Sequence, residues 1–347
     1  MSEVRRALRS LVEMPPTPSR YGVAARAALA ISVPFGVLSL MGREDIGLQT
    51  TAGAFLVLFA ARANARERAK VLPIVALALL LSAASGALLT PWSWAFGIGL
   101  IAIAAIASAL CFAFRLGAPG PVFFVLVYGL SSSITGVVDG HRANDPAIFL
   151  AAMTGGMIFA YLLSIAPLLL PSVWALPAAP LRELLPGPWL GTGEQLLVLR
   201  IIVAAVIGTV ISMLWLDPVH AYWTVSASVA VTGLTASRSH ALGRGLHRML
   251  GTVLGAGLYL LIVPFGTEPI LLVVLFAALH FLIELVVTRN DGLALVFITP
   301  LVLLITAAAT ANADPLATAL GRVADTAAGA ILAMLTGFLH RREPRGG

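Results

Sequence analysis

Apolar residues run along this chain in stretches of about twenty, separated by short segments rich in Arg, Pro and Gly. A helix of that length crosses the hydrocarbon core of a bilayer, which is about 30 Å thick. Cutting the chain at these segments predicts twelve helices. They cover about residues 23–41, 46–62, 70–89, 94–114, 119–138, 146–170, 197–215, 219–236, 248–264, 269–287, 292–311 and 315–339. The pattern therefore predicts an all-α polytopic membrane protein with about 12 transmembrane helices.

Composition excludes a soluble globular protein. The chain has 347 residues, of which 59% are hydrophobic and 11% charged, and its mean hydropathy is +0.96. The net charge of +6 would suggest nucleic-acid binding in a soluble protein. Here the basic residues lie in particular loops, where they indicate orientation, and we expect no nucleic-acid partner. A single cysteine, Cys111, excludes an intrachain disulfide framework.

The distribution of Lys and Arg predicts that both termini are cytoplasmic. With the N-terminus inside, the cytoplasmic segments hold seventeen of the 22 basic residues, and the outer loops hold only Arg43 and Arg142. Trp92, Trp94, Trp215 and Trp223 would then lie near the outer interface, and Trp174 and Trp189 near the inner one.

The two halves of the sequence resemble each other. A shift of 174 residues superimposes Arg26 on Arg200, Thr50 on Thr224, Arg115 on Arg289, Phe123 on Phe297 and Gly155 on Gly329. Chance alignment of apolar helices is the alternative interpretation. Because each unit holds six helices, an even number, the copies would be parallel repeats about an axis along the membrane normal.

This duplication gives the predicted domain organisation. Residues 1–171 would form an N-terminal interfacial helix and the first six-helix repeat, and residues 197–347 the second repeat. Between them, residues 172–196 form a Pro-rich segment that is too polar to span, and we interpret it as an interfacial linker containing a short helix.

The second repeat carries a recognisable pattern. Its residues are Tyr222, Trp223 and Thr224, then Arg244, Arg248, Gly251, Thr252 and Gly255, and finally Arg322 to Thr326 with Gly329. The pattern resembles the fusaric acid resistance family of inner-membrane proteins, which includes aromatic carboxylic acid exporters and is distantly similar to plant aluminium-activated malate channels. The resemblance implies export or permeation of organic, often aromatic, anions across a bacterial inner membrane.

Two charged residues three apart inside a predicted span are the first candidate site. Arg322 and Asp325 share one helix face. A charge at the bilayer centre costs roughly 2.5 to 3.5 kcal/mol on insertion scales, so the pair should face the bundle interior or a wet cavity. Arg322 would bind a substrate carboxylate, and Asp325 would tune it or take up a proton. An intrahelical ion pair that fixes packing is the alternative.

Other basic and aromatic residues have both a structural and a functional interpretation. Arg26 and Arg200 either snorkel to the headgroups or form a symmetric cationic pair that attracts anions. The cytoplasmic basic cluster of Arg244 and Arg248 either anchors orientation or concentrates substrate. Tyr222 and Trp223 are additional substrate-binding candidates. The alternative is that they anchor the helix at the membrane interface.

One histidine and one glutamate form a candidate proton relay. His280 and Glu284 lie four residues apart on one helical face. Histidine titrates near neutrality, which suits proton transfer. A hydrogen-bonded pair that holds helices together is the alternative.

These observations predict a secondary transporter, driven by the proton-motive force, that exports organic anions resembling aromatic carboxylates. A passive anion channel along the pseudo-twofold axis and a non-transporting membrane scaffold are the alternatives. The single lysine, Lys70, follows no Gly-rich phosphate loop, and no nucleophile-and-base set can be named. We therefore expect no enzyme activity, cofactor or metal, and the expected partners are the anion, the bilayer, and efflux-system proteins or further copies of the chain.

Overall fold

A computed structural model describes residues 15, 19–138, 140–233, 238–310 and 314–337. In this part of the chain, twelve helices have eleven residues or more. They are α1 (Tyr21–Leu40), α2 (Glu44–Ala54), α3 (Ala65–Leu89), α4 (Ser93–Ala113), α5 (Val122–Ile134), α6 (Pro146–Ile165), α7 (Thr192–Trp215), α8 (Ala221–Thr232), α9 (Arg238–Ile262), α10 (Pro269–Val286), α11 (Asp291–Thr310) and α12 (Pro315–Thr336). A small antiparallel pair joins β1 (Val137–Val138) to β2 (His141–Arg142).

Within the described residues, nine helices are long and apolar enough to cross a membrane. The other three, α2, α5 and α8, contain 11, 13 and 12 residues. At 1.5 Å per residue, such helices reach only about half-way to two-thirds across the hydrocarbon core. The prediction of an all-helical polytopic membrane protein is confirmed. Twelve spans and the cytoplasmic location of the termini stay predictions, and both chain ends, with the expected N-terminal interfacial helix, lie outside the described residues.

One predicted span is wrong in its second half. The helix expected over 46–62 ends at Ala54, continues as a 3-10 turn over Phe55–Leu58, and becomes extended at Phe59. Ala60 then adopts a positive φ of 49°. An apolar run therefore continues past the point where the helical backbone stops, and hydropathy alone could not show this.

Two helices start earlier than predicted because basic residues are helical here, not loop residues. The helix expected from residue 70 begins at Ala65, where Asn64 and Glu67 form a capping box. The helix expected from 248 begins at Arg238. Arg and Lys are good helix formers, so a basic segment at a membrane surface does not mark a break in the helix.

The two halves contain the same helix contacts. The second helix of each half packs against the sixth, as α2 on α6 and α8 on α12, and the third packs against the fifth, as α3 on α5 and α9 on α11. Between the halves, α1 packs against α10 and α7 packs against α4. The large apolar core takes residues from both halves.

Glycines allow the closest of these contacts. A Cβ on Gly329 would overlap the carbonyl oxygen of Thr224, and a Cβ on Gly156 would overlap that of Thr50. Gly155, the residue that the 174-residue shift places on Gly329, has nothing within 4 Å of its Cβ position. The two sixth helices therefore correspond at a shift of 173, one residue from the expected register.

The linker between the halves is tied to the start of α3. It contains two single helical turns, Pro171–Trp174 and Leu181–Leu184. Arg66 Nη1 donates to the carbonyl oxygens of Trp174 and Leu176, both at 3.1 Å. Lys70 Nζ donates to that of Ala179 at 2.7 Å.

The tryptophans divide into two groups. Exposed indoles, as an interfacial belt requires, belong to Trp92, Trp94, Trp174, Trp189 and Trp215. Trp223 is only 1% exposed and lies in the protein core, so its assignment to the belt is wrong. Its position near a helix start suggested an interfacial indole, but the ring packs against His220 and Arg322.

Candidate functional site

A cavity of about 660 Å³ lies between the two halves. The first half contributes the segment after α2, the turn before α5 and the first residues of α5. The second half contributes the end of α8 and parts of α9, α10 and α11. The cavity lies at the end of the bundle that carries the Arg62 and Gly117 segments, where both residues are exposed.

The charged residues of the wall are mostly basic. They are Arg20, Arg62, Arg244 and Arg248, with Glu284 and Asp291. Counting only these six side chains, four positive and two negative charges leave an excess of two positive charges. This wall attracts anions.

Two of the arginines have a carboxylate partner. Arg20 Nη2 lies 2.5 Å from Glu284 Oε2, and Arg244 Nε lies 3.2 Å from Asp291 Oδ2. In the described part of the chain, Arg248 has no carboxylate within 4.0 Å, and its Nε is buried without a hydrogen-bond partner. Arg248 therefore lies on the wall without a carboxylate in ion-pair contact, although the charge of Asp291 acts on it.

The remainder of the wall is largely apolar. The Phe55 and Phe123 rings lie on it with their centroids 5.0 Å apart. Val302, eleven residues after the start of α11, also lines it. Eleven residues of helix span about 16 Å, so the cavity extends along α11 over a length equal to about half the thickness of a hydrocarbon core. The wall can hold a molecule with an apolar ring and an anionic group.

The proposed relay residues both lie on this wall, but they do not form the expected pair. Glu284 is bound to Arg20. His280 is 2% exposed, its Nδ1 has no hydrogen-bond partner, and its ring lies 6.5 Å from that of Phe55. The alternative of a hydrogen bond between His280 and Glu284 is therefore wrong: the partner of Glu284 comes from the residue preceding α1.

Arg322 and Asp325 do not line the cavity and lie in the contact between α8 and α12, although the charge of Arg322 acts on that of Arg248 on the wall. Thr224 Oγ1 donates to Asp325 Oδ1 at 2.6 Å, and Ser212 Oγ donates to Thr224 Oγ1 at 3.1 Å. The guanidinium of Arg322 lies 5.0 Å from the Trp223 ring centroid. Among the described residues, no direct ion-pair contact within 4.0 Å joins Arg322 to Asp325, although the two charges act on each other across the helix face.

Tyr222 and Trp223 are not interface anchors. Each is 1% exposed. The Tyr222 ring fills the space beside Gly129 of α5, where a Cβ would overlap it. The Trp223 ring stacks on His220 with centroids 4.0 Å apart. Both are absent from the cavity wall: Tyr222 belongs to the packing between halves, and Trp223 packs against His220 and Arg322 within the second half.

The two matched arginines differ in their environment. Arg200 is fully buried in α7, and Arg26 of α1 is half-buried. Neither lines the cavity. Of the predicted site residues, the cavity brings together Arg244, Arg248, His280 and Glu284.

Sequence reasoning missed Arg20, Arg62, Asp291, Phe55 and Phe123 as site residues. The basic charges of Arg20 and Arg62 were visible, but they also fit simple positive-inside anchoring. The Arg20–Glu284 pair joins residues 264 positions apart. Only the packing of α1 against α10 could reveal it.

Comparison with known proteins supports the predicted resemblance. No curated protein and no solved structure matches the chain. The relation to the plant malate channels stays a prediction. Residues 203–336 match a family described as fusaric acid resistance protein-like, and the second half of the chain is therefore similar to that family over this region.

Proposed function

We propose that this protein is a secondary transporter that exports organic anions resembling aromatic carboxylates across a bacterial inner membrane. The observation that carries the proposal is the cavity between the halves, in which Arg248, without an ion-pair contact among the described residues, shares a wall with the Phe55 and Phe123 rings. Ligand pockets in proteins have volumes of about 300 to 1,000 Å³. The volume of about 660 Å³ suits a small aromatic acid.

The charge distribution supports a cavity that opens to the cytoplasm, where an exporter takes up its substrate. The cavity lies at the end of the bundle that the positive-inside rule assigns to the cytoplasm. It extends along α11 over about half the thickness of a hydrocarbon core. An inward-facing site of this length fits a carrier in which two pseudo-twofold repeats, together twelve helices with both termini inside, move against each other.

Proton coupling would use the Arg20–Glu284 pair. An exporter driven by the proton-motive force exchanges an outgoing anion for an incoming proton. Glu284 would therefore be ionised and paired with Arg20 when the substrate binds, and would take up a proton once the substrate has left. His280, on the same wall, and Asp325, held by Thr224, are the other proton-coupling candidates.

The test is transport by purified protein in liposomes, using a panel of aromatic and aliphatic acids with and without a pH gradient. Replacing Arg248 with Gln should slow transport about 10- to 100-fold, because a hydrogen bond to a charged group contributes about 1.5–3 kcal/mol. Arg43→Gln is the matched control, since Arg43 lies at the other end of the bundle and is mostly exposed.

No transport of any acid by the folded wild type, or equal rates for the wild type and Arg248→Gln, would contradict the proposed site. A flux that follows the electrochemical gradient and ignores the pH gradient would replace the carrier with a channel. For the coupling residue, Glu284→Gln should change the pH dependence of transport; an unchanged profile would remove Glu284 from that role.

A further inference from the structure

A second cationic cluster lies beside the cavity, in the first half. Arg68 stands in the first turn of α3 and is 6% exposed. Arg26, in α1, is half-buried, and its charge acts on that of Arg68. Arg26 also interacts electrostatically with Arg20 and Glu284. Neither Arg26 nor Arg68 lines the cavity.

This cluster lacks a matching negative charge among the described residues. Glu284 is the carboxylate paired with Arg20. Glu67, next to Arg68, accepts hydrogen bonds from the backbone N–H groups of Asn64 and Ala179. The Nε atoms of Arg26 and Arg68 are both buried without a hydrogen-bond partner. Both guanidinium groups therefore have an unused buried donor, and their like charges act on each other.

The other two cations near the start of α3 are different. Arg66 and Lys70 turn to the linker and donate to its carbonyl oxygens. Arg68 turns inward, where the nearby charge is a second arginine. Burying a cation without a counter-charge is costly, and a like charge beside it adds to the cost. An anion held between Arg26 and Arg68 would remove both costs.

We propose that Arg26 and Arg68 bind a phosphate group at the membrane surface. Guanidinium groups bind phosphate oxygens through paired N–H donors, and this is the anion for which arginine geometry is best suited. The first turn of α3 lies beside the linker, whose exposed Trp174 marks the interfacial layer. Phosphate groups are available at that depth as lipid headgroups and from solution as inorganic phosphate.

The experiment measures the thermal unfolding temperature of the full chain in three settings. The first is nanodiscs of phosphatidylcholine, the second is nanodiscs that also contain phosphatidic acid, and the third is phosphatidylcholine nanodiscs with inorganic phosphate against chloride at equal ionic strength. A ligand that binds only the folded state raises the unfolding temperature. A rise of several degrees with phosphatidic acid alone identifies a lipid, and a rise with both identifies the phosphate group from either source.

Variants of the two arginines test whether the rise in unfolding temperature comes from the Arg26–Arg68 cluster. Arg68→Gln and Arg26→Gln should each lose the rise, while Lys70→Gln should keep it, because Lys70 is bound to Ala179. If Arg68→Gln fails to fold, Arg26→Gln decides, since Arg26 is only half-buried. No rise in the wild type with either phosphate source, or an equal rise in Arg26→Gln, would overturn the proposal. The readout is independent of transport, so the two proposals fail separately.

Discussion

Equivalent helices are in contact in both halves, but the buried side chains at that contact differ in polarity and charge. Where α8 meets α12, the buried side chains are polar and ionic, with Trp223, Asp325 and Arg322. Where α2 meets α6, the positions that correspond through Gly156 and Gly329 hold Phe149 and Ala152. Gln49 takes the place of Trp223 and binds Asn144 at 3.2 Å.

The comparison shows that a glycine-mediated approach of two helices fixes the backbone and leaves the neighbouring side chains free to diverge. The first half uses this freedom for apolar packing. The second half uses it for a buried polar network, and this half also contains the region that matches the fusaric acid resistance protein-like family.

The largest loss of stability is expected when the residue at position 152 or 325 is replaced by the type found at the equivalent position of the other half. Ala152→Asp would place a carboxylate beside Phe149, with no arginine at that position, and should destabilise the protein by more than about 3 kcal/mol. Asp325→Ala should cost about 3 kcal/mol, since Thr224 loses its acceptor and Arg322 loses a nearby negative charge. Thermal unfolding of the purified variants measures both.

Asp325→Asn is the control, because an amide oxygen still accepts from Thr224, and it should cost less than Asp325→Ala. Tolerance of Ala152→Asp would contradict the view that the first half provides no polar site there.

A smaller effect tests the shared backbone contact. Gly156→Ala and Gly329→Ala should each destabilise the protein by about 1–3 kcal/mol, because the added Cβ overlaps a carbonyl oxygen. Gly155→Ala, one residue away, should be neutral or stabilising by up to about 1 kcal/mol. The unfolding temperatures of the three variants should separate accordingly. If Gly155→Ala is the damaging one, the register of the first half is the 174-residue shift.

The smallest expected change in stability concerns the start of α2 and the segment before α8. His220 Nδ1 lies 2.7 Å from Asp217 Oδ2, and this hydrogen bond holds the pKa of Asp217 below its ordinary value. A lowered pKa in the folded state stabilises the protein above the ordinary value near pH 4 and loses that contribution as the pH falls through the folded-state pKa. Asp217→Asn should therefore flatten the acid side of the stability profile.

Asp45 gives the matched control in the first half. Its contact with Arg43 is 3.5 Å long, and both side chains are mostly exposed. Exposed ion pairs contribute little to stability, so Asp45→Asn should leave the profile unchanged. An equal change in Asp45→Asn and Asp217→Asn would show that the two segments do not differ.

The sequence predicted the parts of the fold that hydropathy determines. Long apolar runs predicted the helices, and Gly251 of the recognisable pattern lies where α9 closely approaches α11 at Gly292 and Leu295. The end of α2 at Ala54 was not predictable, because the following residues are as apolar as the helix.

The site was predictable only where one helix supplies it. Arg244 and Arg248 lie one turn apart on α9, and both reach the cavity. Arg322 looked like a site residue because a charge inside a span is costly, but Trp223 holds it in the core. Phe55 and Phe123 looked like two of many apolar residues. Their role depends on the packing of the two halves, and no local pattern encodes that.

The linker contacts have a consequence for sequence variation. Asn64, Arg66 and Lys70 all hold the segment after Pro171 through its backbone oxygens. Every amino acid provides such an oxygen, so side chains there can be exchanged widely without releasing the segment. Natural variants should therefore differ freely at those linker positions while retaining the three donors that face them.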